Sequence, residues 1–281
     1  MTWTFSSDLA AYLAAARPAI AAEPVANTSL LTVIDALERR GPDAYGPDAP
    51  FFGWWTGEDG AVAGALLCTP PYPLLIGTLP AGAVRELGAA LGSEPVLAGV
   101  DALNARRDDA RVLAAAWGKP TEVAEENRLY RLAGLLAPDP VPAGRARLAG
   151  PADLPLLLDW VTAFKQESGE GGTASEAALR DRLSYGGMLL WEDAGDPVSL
   201  AGFFRPVGAV ARIGPVYTPP ERRGRGYAAG VTHAVSEAAY AAGAVEVLLF
   251  ADLANPTSNG VYRRLGYTPI EDRVEVEVVA A

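Results

Sequence analysis

"PPERRGRGYAAG", residues 219–230, is the stretch on which the reading of this chain turns. Three arginines and two glycines crowd into Arg222–Gly226, in a protein whose formal net charge is −11. Gly224 and Gly226 let backbone approach a ligand with no Cβ in the way. The apolar spacing from Tyr227 to about Ala242 predicts a helix. A helix start offers unpaired N–H groups and the positive end of its dipole. Together with guanidinium forks, these features predict an anion site, and phosphate is the usual guest. No GxxxxGK[ST] phosphate loop is present. "GRGYAA" can be forced onto the dinucleotide pattern G-x-G-x-x-A, but "TPPERR" then separates the first glycine from the strand before it. The preceding elements also read as an antiparallel meander rather than a βαβ unit.

Outward from this loop the chain repeats itself faintly. "WWTGEDGAVAGALL" (54–67) resembles "WEDAGDPVSLAGFF" (191–204), each reading as strand, turn, strand. "PLLIG" ends at Gly77 and "VARIG" at Gly214, 137 positions apart. "VLAGVDALN" (96–104) resembles "VLLFADLAN" (247–255), now 151 positions apart. The C-terminal copy therefore holds 14 extra residues, in the interval that contains the arginine–glycine loop. "GLLAPDPVPAGR" (134–145) reads as a linker. In the C-terminal half we expect a strand at 145–148, a helix over "ADLPLLLDWVTAFKQ", and a short helix over "EAALRDRLS". Strands then follow near 188–193, 198–205, 209–217 and 245–252, and a last one over "RVEVEVV".

The pattern now resembles a known family. "RRGRGYA" is similar to the acyl-CoA loop Q/R-x-x-G-x-G/A of the GNAT acetyltransferase superfamily, here Arg223-x-x-Gly226-x-Ala228. "NPTSNGVYRRLGY" (255–267) resembles the family's Asn–Tyr helix and closing segment. The resemblance implies an α/β (α+β) chain of two GNAT-like domains, each a mixed, mostly antiparallel twisted sheet flanked by helices. Residues 1–135 would be a degenerate, non-catalytic copy that covers the active half, 136–144 a linker, and 145–281 the catalytic domain.

It also implies a function: transfer of an acyl group, most simply acetyl from acetyl-CoA, to a primary amine by direct attack. The alternative is a GNAT fold that binds acyl-CoA as a sensor or scaffold without turnover. In the family the pyrophosphate rests on backbone N–H groups, here those of Arg223, Gly224, Arg225, Gly226, Tyr227 and Ala228. The pantetheine arm pairs like an added strand with Val216, Tyr217 and Thr218, where an N–H polarises the thioester carbonyl. Asn255 and Ser258 fall near the cofactor. Tyr262 is the expected proton donor, or hydrogen-bond donor, to the departing thiolate. A lysine-like amine has a pKa of about 10.4, so its neutral form at pH 7 costs roughly 4.6 kcal/mol. A base or desolvation must supply this. Glu167, in "KQESGEG", is the side chain expected to act, with a water-mediated base left open. Asp252 and Asn255 match Asp101 and Asn104 of the loopless half, which favours a structural role for Asp252 and tempers Asn255. Glu192 reads as a surface strand residue.

Composition narrows the alternatives. The acidic balance argues against a nucleic-acid partner and mildly favours a cationic acceptor, either a small-molecule amine or a peptide amine. One cysteine, Cys68, and one histidine, His233, leave no Cys/His metal set and no internal disulfide. We read Cys68 as a small apolar strand residue and His233 as a helix-surface residue. Uncharged Gly60–Val84 carries four prolines, so it does not predict a membrane span, and "MTWTFSSDLAAY" lacks a basic leader. The expectation is a cytoplasmic protein, monomeric or homodimeric, with no metal and no membrane partner.

Overall fold

The computed structural model describes residues 2–279. The fold is mixed α/β with mostly antiparallel pairing, and it divides into two compact units. The first unit takes the chain up to Arg128 plus the segment from Glu271 onward. The second runs from Leu129 to Ile270. Among the described residues no helix is long and apolar enough to cross a membrane.

The first unit contains β1 (Thr2–Ser6), α1 (Leu9–Ala22), α2 (Thr28–Arg40), β2 (Phe51–Thr56), β3 (Val62–Cys68), β4 (Leu74–Ile76), α3 (Ala81–Leu91), β5 (Ala102–Arg106) and α4 (Arg107–Ala116). Next comes β6 (Thr121–Leu132), whose last four residues belong to the second unit. β1 to β4 pair antiparallel in sequence order, and β4 then pairs parallel with β5 through Leu74↔Leu103. Cys68 is buried on β3, and burial pushes its thiol up to about 11, which suits an inert apolar residue.

The second unit contains β7 (Arg145–Leu148), α5 (Leu154–Glu167), α6 (Glu176–Ser184), β8 (Met188–Asp193), β9 (Asp196–Phe203), β10 (Val210–Tyr217), α7 (Tyr227–Ala241), β11 (Glu246–Asp252) and α8 (Pro256–Arg264). β12 (Tyr267–Val278) starts in this unit and ends in the first. β7, β8, β9 and β10 form an antiparallel meander, and β11 then joins β10 in parallel after the α7 crossover. Val231, Val235 and Ala239 of α7 pack on Val198, Ala211, Ile213, Val247 and Leu249. Leu154, Leu157 and Leu179 of α5 and α6 cover the other face, over Met188, Leu190, Leu200 and Tyr217. α6 begins where Ser175 Oγ accepts from the Ala178 N–H, an ordinary N-cap.

Two expectations change at this level. The match of 96–104 to 247–255 does not hold. Pro95–Leu97 is a 3-10 turn, and β5 starts only at Ala102. β5 and β11 correspond instead, since each pairs parallel with the strand before its helix. Asp101 thus precedes its strand while Asp252 ends one, so the count of 14 extra residues and the inference from paired Asp and Asn positions fall together. An apolar run broken by Pro95 and Gly99 satisfies its burial in a turn as well as in a strand.

The second change concerns the closing strands. The linker suggested two sequential halves, yet Glu271–Val278 completes the first unit's sheet, pairing antiparallel with β5 from Arg273↔Arg106 to Glu277↔Ala102. Val274 and Val276 enter that unit's core. Tyr130 and Leu132 enter the core of the second. The linker itself is anchored in the second unit, where Trp191 Nε1 donates to the Ala143 carbonyl at 2.8 Å.

Arg273 is buried at 4% exposure and donates to Asn104 Oδ1 (2.9 Å), the Asn104 carbonyl (3.1 Å) and the Ile76 carbonyl (2.6 Å). Burial lowers its pKa, and Glu271 at 3.4 Å opposes that shift. Arg273→Met strands these acceptors and the half-buried Glu271 carboxylate. We expect a loss of about 3–5 kcal/mol in urea unfolding. An unchanged midpoint would show that this strand does not hold the first unit together.

Candidate active site

The site begins where two strands part. The β10–β11 ladder runs from Val210↔Glu246 to Ile213↔Leu249. The β10–β9 register is irregular between Ile213 and Val216, after which β10 stays with β9 through Val216↔Ala201 and Tyr217↔Leu200. Past this irregularity one edge of β10 has no ladder partner from β11. Such an edge accepts an extended ligand as an added strand.

The loop follows directly. After Thr218 and Pro219 a 3-10 turn spans Pro220–Arg222. Gly224 (φ +76°) and Gly226 (φ +80°) adopt the left-handed conformation that favours glycine. Gly226 is the N-cap of α7, whose first turn holds no acidic residue. The N–H groups of Gly224, Arg225, Gly226, Tyr227, Ala228 and Ala229 have no hydrogen-bond partner among the described residues. These donors at a helix N-terminus suit a diphosphate. Arg223 N–H is the exception in the expected set, since it donates to the Pro220 carbonyl at 3.3 Å.

The three arginines differ. Arg222 lies 3.9 Å from Asp196. Arg223 turns away from the donors: its Nε donates to the Thr218 carbonyl at 2.9 Å and its Nη2 to Glu167 Oε2 at 2.5 Å. Arg225 is exposed and makes no ion pair among the described residues. Tyr227 is anchored inward, its hydroxyl donating to Asp193 Oδ2. The Thr218 carbonyl is engaged by Arg223 and its hydroxyl bonds Ser199 Oγ at 2.8 Å, while the Tyr217 carbonyl accepts from Ser199 Oγ at 2.9 Å, so Val216 remains as the unencumbered part of the β10 edge.

Glu167 ends α5, and Tyr217 Oη donates to its Oε1 at 3.0 Å. Burial, then the Glu167 carboxylate, raises the Tyr217 pKa. Glu167 thereby stands on the α5/α6 face of the sheet, beside the end of β10. Tyr262, on α8, belongs to the opposite, α7-side cluster together with Val216, Tyr227 and Ala251. Its ring meets Tyr267 edge-on at 6.1 Å, and burial pushes its pKa up to about 12. Its hydroxyl has no hydrogen-bond partner among the described residues. A carboxylate on one face and a phenol on the other thus flank the diverging strands.

Asn255 caps α8, its Oδ1 accepting from the Ser258 N–H at 3.0 Å. Asp252 Oδ1 caps the turn after β11 through the Ala254 N–H at 2.8 Å, and Glu192 accepts from Arg147 Nε at 2.6 Å. His233 lies along α7, 3.5 Å from Glu237. Sequence reasoning missed Asn259. It is buried, accepts from Tyr130 Oη at 2.6 Å, and donates to the Asp252 and Asn255 carbonyls at 2.7 Å. It ties β11 to the start of α8 and so sets where Tyr262 stands. The available signal was a polar residue on the buried face of a short helix.

Residues 155–267, which hold the loop, Glu167 and Tyr262, match the sequence model described as the acetyltransferase (GNAT) family. This stretch is a GNAT-family domain. Solved GNAT structures share the fold over the whole chain. An acetyltransferase of the GNAT family from Colwellia psychrerythraea is 14% identical, with a TM-score of 0.62 covering 99% of this chain and 100% of that one. A GCN5-related N-acetyltransferase from Sphaerobacter thermophilus is 18% identical, with a TM-score of 0.61 over 98% and 94%. A tandem GNAT protein from the clavulanic acid biosynthesis pathway is 18% identical, with a TM-score of 0.57 over 100% of both chains. No curated protein matches the chain. At these identities the likeness concerns the GNAT fold, and it takes in the first unit as well as the second.

Proposed function

We propose that the second unit is an acyl-CoA-dependent N-acyltransferase that transfers acetyl from acetyl-CoA to a primary amine by direct attack. The observation that carries this reading is the sequence of features along the chain: an unpaired β10 edge leads directly into six unpartnered N–H donors. The donors and Arg225 hold the diphosphate, while the β10 edge at Val216 aligns the pantetheine arm. Bound acetyl-CoA supplies the activated acetyl thioester. A fixed β10 N–H polarises its carbonyl without reorganising in the reaction. Glu167 Oε1, on the acceptor side, takes a proton from the incoming ammonium directly or through water. Tyr217 and Arg223 hold that carboxylate in place. Tyr262 donates to the sulfur from the other face.

The first unit is proposed to be non-catalytic. Only Gly77, Thr78, Leu79 and Pro80 join β4 to α3, and the Thr78 N–H is already bonded to Asn27 Oδ1 at 2.9 Å. Pro80 caps α3 without a left-handed glycine. α4, "RDDARVLAAA", carries no tyrosine.

Glu167→Gln removes the base but keeps one hydrogen-bond acceptor for Tyr217. We expect kcat to fall by about 10²-fold, with acetyl-CoA affinity nearly unchanged, in a thiol-release assay paired with calorimetry. Full activity in this variant would assign the proton to water alone.

A further inference from the structure

The first turn of α7 must aim its unpartnered donors at one ligand, yet its own residues do little to hold it. Gly226, the N-cap, offers no side chain to cap it, and helix ends fray. The support comes from outside the loop. Gly226 and Gly230 lie four residues apart and so share one face of α7. A Cβ on Gly230 would lie 2.8 Å from Pro142 Cγ and 2.9 Å from two carbons of the Trp191 ring. On Gly226 it would meet Pro142 Cβ at 3.4 Å, an ordinary contact. Glycine inside a helix costs about 1 kcal/mol against alanine. At Gly230 the close approach of Pro142 and Trp191 accounts for it.

Pro142 is itself fixed in place. It is buried, and the next residue, Ala143, accepts from Trp191 Nε1 at 2.8 Å. Gly144 runs so close to β8 that a Cβ there would overlap the Glu192 carbonyl. At the first residue of α7, the Tyr227 hydroxyl donates to Asp193 Oδ2. The end of β8 therefore grips the turn twice: through Trp191, by way of Pro142 and Ala143, and through Asp193, by way of Tyr227. Tyr227 and Trp191 also belong to one buried cluster. Donors held in a preset array bind a diphosphate without the ordering cost that a frayed turn carries.

We propose that Trp191 and Asp193 are positioning residues for the cofactor: they fix the direction of the α7 donors and so set the affinity for the diphosphate without touching it. This rests on the acyl-CoA reading of the site and deepens it. The test is calorimetric titration of acetyl-CoA into Trp191→Phe, Asp193→Ala and Asp193→Asn, with S-acetylpantetheine, which lacks the diphosphate, as a competitor. Trp191→Phe removes the donor to Ala143, and Asp193→Ala removes the acceptor for Tyr227. Each should weaken acetyl-CoA about tenfold and leave S-acetylpantetheine within about twofold of wild type. Asp193→Asn keeps an acceptor and should recover most of the loss. Asp193 is half-buried at the end of β8, so its variants carry the test even if Trp191→Phe does not fold. Wild-type affinity for acetyl-CoA in either folded Trp191→Phe or folded Asp193→Ala would overturn the inference. So would an equal loss for acetyl-CoA and S-acetylpantetheine, which marks a general loosening of the unit. A wild-type protein that binds no acetyl-CoA is a different result and sinks the cofactor reading itself.

Discussion

Replacing Gly226 with glutamate is expected to weaken acetyl-CoA binding at least a hundredfold, or about 2.7 kcal/mol. Two effects add. Gly226 has φ +80°, so any side chain there strains the left-handed turn, while the added Cβ itself would make ordinary contact with Pro142 Cβ at 3.4 Å. The new carboxylate then sits among the six N–H donors as a built-in competitor and repels the diphosphate. Gly226→Ala separates the two, because it carries the strain without the charge. Its loss should stay below about thirtyfold, since a left-handed alanine costs roughly 1–2 kcal/mol. Calorimetric titration of acetyl-CoA into both variants, with thermal unfolding as a control, measures the difference. Wild-type affinity in a folded Gly226→Glu protein would remove the loop from the cofactor site.

The second large effect is at Tyr262. Tyr262→Phe should lower kcat by about 10²-fold or more, with acetyl-CoA affinity within threefold of wild type. The ring keeps its place against Tyr267, so stability should change little. With its pKa pushed up to about 12, the phenol keeps its proton throughout the working range. Any fall in rate between pH 7 and 10 must therefore come from another group. A free tyrosine near 10 facing a thiolate near 8.5 is uphill by about 2 kcal/mol. Burial widens the gap to about 5 kcal/mol. Proton transfer from Tyr262 then belongs with C–S cleavage, or gives way to a strong hydrogen bond on the sulfur. Steady-state kinetics of the variant from pH 6 to 10 test both statements. An unchanged kcat would confine Tyr262 to a packing role.

The sequence made local features legible because local rules govern them. The α6 and α7 starts follow from caps, periodicity and breakers within a few residues. Pairings across the chain did not follow. The alternation in "RVEVEVV" marks which side chains point inward, but not whose core they enter, and Val274 and Val276 enter the first unit's. Glu167 could be placed in the acceptor loop, yet its partners Tyr217 and Arg223 are 50 and 56 residues away. Arg223 is the telling case. Its motif position predicts a phosphate contact, while its guanidinium spends its donors on Glu167 and Thr218. Asn259 and Tyr130 are 129 residues apart, and only the folded core brings them together.

One measurement tests the central claim most directly: thiol release from acetyl-CoA by the wild-type protein, read across a panel of small amines, amino acids and peptides. The account predicts release that depends on the amine, with an equal amount of acetylated amine found by mass spectrometry. Release from no member of the panel, by a protein that still binds acetyl-CoA, would contradict it and make the second unit a binding module.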